Sequence, residues 1–332
     1  MKRNEYFDFL KGIAILMVIG IHTFIGGGFS SWHEYLNTGV RQILNCAVPV
    51  FIACSGFFLA KKSLKNKEEI RSFYRKQISR VYLPCFLWSL PWFSSFIIGG
   101  NDPKTGILNL VFCGFSVFYF VILMIQYYLL LPVIQVVKNR AGGVLLAASS
   151  ICSLACVAVV MYVTAIKNIQ VPLTLYAGPF PLWIVFFVMG VILAEKDRNY
   201  NIGLIMGGIA IALVSQFIEA RFLLSKSMYG IGFGIKPSSF VFSILVILLL
   251  FSKQAESAYK YNRFNRLIAF IGRISFVVYL SHTLVILFIA RIPFWGNLLW
   301  SIRFLIVIMV DISLVVILNR ITPNKLKRIV GF

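Results

Sequence analysis

Acidic residues are scarce in this sequence, which has 11 Asp and Glu against 32 Lys and Arg. Charged residues of both signs make up only 13% of the 332 residues, whereas hydrophobic residues make up 59%. A soluble fold of this length could not keep so much apolar surface away from water. The composition therefore excludes a soluble protein and predicts a polytopic membrane protein.

The motifs of common soluble enzymes are also missing. The sequence has no P-loop, no GxSxG nucleophile elbow and no HExxH zinc motif. Its six cysteines form no CxxC pair. Cys152 and Cys156 are one helical turn apart, but no histidine or carboxylate is near them in sequence. We interpret them as packing residues and expect no metal.

Apolar runs of about 20 residues, the length of a helix that crosses a bilayer, recur along the whole chain. They can be drawn at 9–27, 40–60, 81–99, 117–137, 142–163, 180–195, 202–222, 237–251, 270–290 and 298–319. We predict an all-α transmembrane bundle of about ten helices, with nine or eleven as alternatives. We expect one domain over 5–320 and a short basic tail over 321–332.

The formal net charge of +21 would suggest a nucleic-acid partner in a soluble protein, but its distribution has another explanation. With both termini in the cytoplasm, 24 Lys and Arg lie inside and 8 lie outside. Short cytoplasmic loops of membrane proteins carry this excess. We therefore predict cytoplasmic termini, contact with the lipid bilayer and no nucleic-acid partner.

The first apolar helix carries three ionisable residues. At about 100° and 1.5 Å per residue, Lys11 and His22 lie on one stripe about 16 Å apart, and Asp8 lies one turn before Lys11. An ionisable group inside a membrane costs several kcal/mol unless it is paired or solvated, which makes a functional site the first interpretation. The alternative places Asp8 and Lys11 among lipid headgroups and makes His22 a packing residue.

The ninth apolar run repeats this pattern. Ser275, Tyr279 and His282 are spaced by four and three residues, which puts them on one helical face. We expect the three side chains to face the same cavity as His22. The alternative is that the serine and tyrosine bond to the backbone and the histidine is buried.

Two other stretches add to the candidate site. The segment 61–80 has eight Lys and Arg against two Glu, which suits either anionic lipid or a phosphorylated cofactor. In the second run, Pro49 is expected to free a backbone carbonyl in mid-helix, and Gly56 is expected to admit another backbone.

These residues together resemble the acyltransferase-3 family of integral membrane O-acyltransferases, over nearly the whole chain. The family pattern of the first helix falls on Lys11 and His22, with lysine in place of the commoner arginine. The second-helix pattern falls on Val48, Pro49, Phe51, Ser55 and Gly56, and the late pattern on Ser275, Tyr279 and His282. The third-helix Arg-x-x-Arg pattern falls on Gln77 and Arg80. Its first arginine is missing, and Arg75 or Lys76 is expected to replace it.

The resemblance implies transfer of an acetyl group from cytoplasmic acetyl-CoA to a hydroxyl of a surface polysaccharide or lipid-linked glycan, in a bacterial inner (plasma) membrane. Phosphate contacts are expected from Lys11, Arg75, Lys76 and Arg80. His22 suits a general base, and Tyr279, Ser275 or Ser55 would orient it or stabilise the oxyanion. His282 is a further candidate catalytic residue.

Two alternatives stay open. A covalent acyl-enzyme on Ser55 or His22 is a variant of the same reaction. A transporter or flippase of a lipid-linked sugar would also use broken helices and buried polar residues, although no inverted repeat is evident. The oligomeric state is not predicted.

Overall fold

The computed structural model describes residues 4–225 and 233–332, and within these ranges the chain is helical without a strand. Lys2, Arg3 and Lys226, which entered the charge count, lie outside the described residues. The helices are α1 (Glu5–His22), α2 (Trp32–Leu44), α3 (Ala47–Leu59), α4 (Lys67–Ile98), α5 (Pro103–Val111), α6 (Tyr119–Met161), α7 (Leu173–Ala177), α8 (Phe180–Leu193), α9 (Ile202–Ser225), α10 (Pro237–Leu250), α11 (Lys253–Ser257), α12 (Arg263–Arg273), α13 (Ser275–Ile289), α14 (Trp300–Ile321) and α15 (Asn324–Val330).

The predicted all-α fold is thus confirmed for the described residues, and the chain is a multi-pass membrane protein. Five helical segments are long and apolar enough to cross a bilayer, and α12 with α13 would make a sixth that bends by 78°. Helices α8 and α10 are apolar as well but have only 14 residues each. The count of ten spans stays a prediction.

Several predicted runs are broken or displaced. The second run is divided because Asn45 and Cys46 separate α2 from α3. Pro49 therefore lies in the first turn of α3, where a backbone N–H has no helical partner in any case. The expectation that Pro49 frees a carbonyl in mid-helix was wrong. The fourth and fifth runs join in α6, which is interrupted only at Ala141, with φ −151° and ψ 57°.

Helix α1 begins and ends with local hydrogen bonds. The Asn4 side chain accepts from the backbone N–H of Tyr6 at 3.0 Å, and the Thr23 hydroxyl donates to the Ile19 carbonyl at 3.0 Å. Glu5 and Asp8 in the first turn suit the positive end of the helix dipole. The helix ends at His22, five residues earlier than the predicted run, so His22 occupies its last position.

Glycines bring two helix pairs into backbone contact, α1 with α12 and α3 with α8. A Cβ on Gly272 of α12 would lie 1.8 Å from the carbonyl oxygen of Asp8, and one on Gly12 would lie 2.0 Å from that of Ile268. In α3, a Cβ on Gly56 would lie 2.3 Å from the carbonyl oxygen of Phe187, so the predicted close approach at Gly56 is confirmed. The backbones of α1 and α12 are consequently in direct contact beside Asp8 and Lys11.

The predicted basic tail contains α15, which packs against α4. Trp88 of α4 donates its indole N–H to the carbonyl of Val330 at 3.0 Å, and Arg328 donates to the Ser79 hydroxyl at 2.6 Å. These bonds place Phe332 beside the middle of α4, close to the candidate site.

Candidate active site

Lys11 and Asp8 form an ion pair on α1. The Lys11 ammonium lies 2.7 Å from a carboxylate oxygen of Asp8, whose side chain is 4% exposed. The ammonium also lies 5.6 Å from the centre of the Phe58 ring. A buried carboxylate is costly without a cation beside it, so Asp8 holds Lys11 in place at this end of the helix.

Lys11 lines a cavity of about 300 Å³, which we call the lysine cavity. Two arginines, Arg80 of α4 and Arg273 of α12, line it as well. It is further lined by predicted site residues and their neighbours, namely Ser55, Gln77, Phe120, Ser275 and Tyr279. Three cations that line one cavity can bind a phosphorylated ligand, since Arg and Lys are the usual partners of phosphate in proteins.

Arg75 and Lys76 do not line the lysine cavity. Both are exposed on α4, and Lys76 lies in a separate shallow groove with Glu68 and Glu69. The Lys65 backbone N–H and then the Ser63 hydroxyl lower the pKa of the Glu69 carboxyl. Glu69 therefore stays ionised near neutral pH and offsets part of the positive charge here. Gln77 occupies the cavity position that the missing arginine would have.

His22 lines a second cavity of about 210 Å³, which we call the histidine cavity. Its side chain is exposed there, at the end of α1 opposite Lys11. The polar or partly polar residues on the other walls are Arg41, Asn45, Tyr119, Tyr176 and Trp183. One continuous helix therefore carries a cation into one cavity and an imidazole into the other.

Tyr279 links the two cavities through one hydrogen bond. Its ring lines the lysine cavity, and its hydroxyl donates to the carbonyl of Val117, a residue that lines the histidine cavity. Phe120 packs on the same ring with centroids 5.6 Å apart. Tyr279 therefore contacts residues of both cavities.

His282 packs against His22 instead of lining either cavity. The two ring centroids are 5.2 Å apart. The Nδ1 atom of His282 lies 2.8 Å from the Tyr279 carbonyl and 3.2 Å from that of Val278. Because both partners are carbonyl oxygens, Nδ1 carries the proton and donates, and Nε2 is left as an acceptor. Nε2 is buried and has no hydrogen-bond partner among the residues that the structure describes.

The face predicted from Ser275, Tyr279 and His282 is thus divided by the fold. The run that contains them bends at Ile274, and α13 begins at Ser275. Ser275 and Tyr279 line the lysine cavity, and only His282 reaches His22. Our expectation that all three line the cavity of His22 was wrong, because the length of α13 spans both cavities.

A model of an acyltransferase domain, that of the acyltransferase-3 family, matches residues 4–325. The chain belongs to the acyltransferase-3 family. It is a membrane acyltransferase. An amino-acid racemase of Enterococcus faecalis is 34% identical over 79 residues, which are 23% of this chain and 11% of that protein. No solved structure matches the chain.

Sequence reasoning missed two cations of this acyltransferase. Arg273 was counted only as a loop charge, but Gly272 beside it contacts α1 and brings it to the lysine cavity. Arg41 was counted as an outer charge, although it is buried with 8% exposure beside His22. Gly331 and Phe332 also line the lysine cavity. One signal for Arg41 was present in the sequence, which is that it lies one helical turn, four residues, before Asn45.

Proposed function

We propose that this acyltransferase moves an acetyl group from acetyl-CoA to a hydroxyl of a cell-surface or lipid-linked carbohydrate. The observation that carries the proposal is that the two ends of α1 line two different cavities. The lysine cavity is lined by three cations. The histidine cavity is lined by His22, an imidazole that can act as a base, at the far end of the same helix. A donor with phosphates at one end and a thioester at the other suits this arrangement.

The phosphates of acetyl-CoA are assigned to Lys11, Arg80 and Arg273. The thioester then points along α1 toward Tyr279, whose side chain moves aside when the acceptor hydroxyl approaches. The distribution of Lys and Arg, 24 inside and 8 outside, favours an N-terminus in the cytoplasm. The lysine cavity, near that end of α1, then faces the cytoplasm, where acetyl-CoA is made. Both termini and the segment 61–80 lie on that side in this proposal, and the membrane is the bacterial plasma membrane.

His22 is assigned the role of general base. A neutral imidazole has one N–H and one lone pair. If His22 donates its N–H to the free Nε2 of His282, its own lone pair is fixed toward the histidine cavity. The two rings are neighbours, with centroids 5.2 Å apart, and the bond forms when the His22 ring rotates toward Nε2. His22 takes the proton of the acceptor hydroxyl as the oxygen attacks the thioester carbonyl, and the CoA thiolate leaves. His282 is then a positioning residue that sets the tautomer of His22.

The test is release of free thiol from acetyl-CoA by the purified protein in detergent. Surface and lipid-linked glycans extracted from cells that lack the protein serve as acceptors. Thiol release that requires the glycan, together with an added acetyl mass on the glycan, supports the proposal. No release with any glycan fraction would contradict it and favour the transporter or flippase.

A further inference from the structure

A buried polar cluster adjoins the histidine cavity on the side of α2. Arg41 and Asn45 line the cavity, and each is 8% exposed. Behind them lie Gln42, Gln216 and Lys236, all with 0% exposure. The Lys236 ammonium donates to the side-chain oxygen of Gln42 and, at 3.3 Å, to the backbone carbonyl of Gln216. Lys236 therefore supports the residues beside Arg41 without reaching the cavity.

Positive charge exceeds negative charge in this cluster. The Arg41 guanidinium donates to the side-chain oxygen of Asn45 and lies 5.7 Å from the centre of the Phe24 ring. No ion pair among the described residues includes Arg41. The nearby carboxylate of Glu219 accepts from the Ser238 hydroxyl and, at 3.2 Å, from its N–H. A buried guanidinium without a carboxylate is costly until an anion joins it.

We propose that Arg41 makes the histidine cavity a site for an anionic acceptor, one whose sugar carries a carboxylate or a phosphate. This inference rests on the proposed function, because it assigns the histidine cavity to the acceptor. The planar guanidinium matches either anion with two parallel hydrogen bonds. The sugar ring would pack against the aromatic side chains of Tyr119, Tyr176 and Trp183. Small-molecule sites commonly combine such aromatic walls with a few polar groups that fix the orientation of the ligand. Binding of the anion at Arg41 places the hydroxyls of the same sugar beside His22.

The inference is tested with two probes that differ only in charge at one carbon, p-nitrophenyl β-D-glucuronide and p-nitrophenyl β-D-glucoside. Glucose 6-phosphate is the third probe and distinguishes phosphate from carboxylate. Binding to the full-length protein in detergent is measured without acetyl-CoA, so the result does not depend on transfer. Arg41→Gln removes the charge and Arg41→Lys keeps it without the fork. Arg221→Gln is the matched control, because Arg221 is exposed on α9.

We expect the wild-type protein to bind the glucuronide or the phosphate at least about 10-fold more tightly than the glucoside, the size of a hydrogen bond to a charged group. Arg41→Gln is expected to abolish this preference, Arg41→Lys to reduce it, and Arg221→Gln to leave it unchanged. Arg41→Lys keeps the test valid if the glutamine variant does not fold.

Equal binding of all three probes, or a preference that survives in Arg41→Gln, would overturn the anionic site. An equal loss of glucoside and glucuronide binding would do so too, since it would make Arg41 a structural residue. Thiol release is measured in parallel. A glucuronide that binds through Arg41 and releases no thiol would contradict acetyl transfer and still support the anionic site.

Discussion

Substitution of Gly272 by alanine tests the contact that assembles the lysine cavity. The new Cβ would lie 1.8 Å from the carbonyl oxygen of Asp8 and 2.7 Å from the backbone nitrogen of Gly12. These are backbone atoms of a helix and cannot swing aside. Restoring ordinary contact at 3.4 Å requires α1 and α12 to separate by roughly 1.5 Å. Such overpacking typically costs about 1–3 kcal/mol.

The separation also moves Lys11 away from Arg273, so acetyl-CoA binding is expected to weaken along with stability. Thermal unfolding in detergent measures stability, and equilibrium binding of acetyl-CoA measures the cavity. Gly207→Ala on α9 is the control, because a Cβ there meets nothing within 4 Å. The free energy of unfolding of the control should be unchanged or higher by up to about 1 kcal/mol, since alanine favours helix more than glycine does. If Gly272→Ala has the same unfolding temperature and the same affinity for acetyl-CoA as Gly207→Ala, the contact between α1 and α12 does not hold the cavity together.

Two further predictions concern the donor side. Lys11→Ala should raise the KM for acetyl-CoA more than it lowers kcat, because a phosphate contact far from the carbonyl changes little in the transition state, and Lys11→Arg should retain activity. Initial rates decide this, and a loss confined to kcat would refute the phosphate role. A cysteine in place of Lys65 should be labelled by an impermeant thiol reagent only after cells are permeabilised, whereas one in place of the exposed His33 should be labelled in intact cells. The reverse pattern would invert the orientation and remove the cytoplasmic cofactor assignment.

The relation of Lys11 to His22 could be predicted from the sequence, because both lie on one unbroken helix and helical periodicity fixes their azimuth. The close approach at Gly56 was predictable for a similar local reason, since a missing side chain is a property of one position. Features that depend on a single helix were therefore accessible without a structure.

Features that depend on how separate helices pack against one another were not accessible. Hydropathy gives the same signal for a straight run and for α12 and α13, which meet at 78°. Nor does hydropathy show that α13 runs past both cavities, so that Ser275 and Tyr279 line a different cavity from His22. Likewise, Arg41 is buried beside polar residues that are distant in sequence, such as Gln216 and Lys236, whereas a count of loop charges placed it outside the membrane.

The central claim is that His22 acts on the acceptor while acetyl-CoA is held at the other end of α1, and the His22→Ala protein tests it most directly. Acetyl-CoA binding and glycan-dependent thiol release are measured on the same preparation, with His33→Ala as the matched control at an exposed histidine. We expect near-normal acetyl-CoA binding and a rate of thiol release lower by about 10²–10⁴-fold, the usual effect of losing a general base. His33→Ala should match the wild type in both. Near-normal turnover by a well-folded His22→Ala protein would contradict the claim.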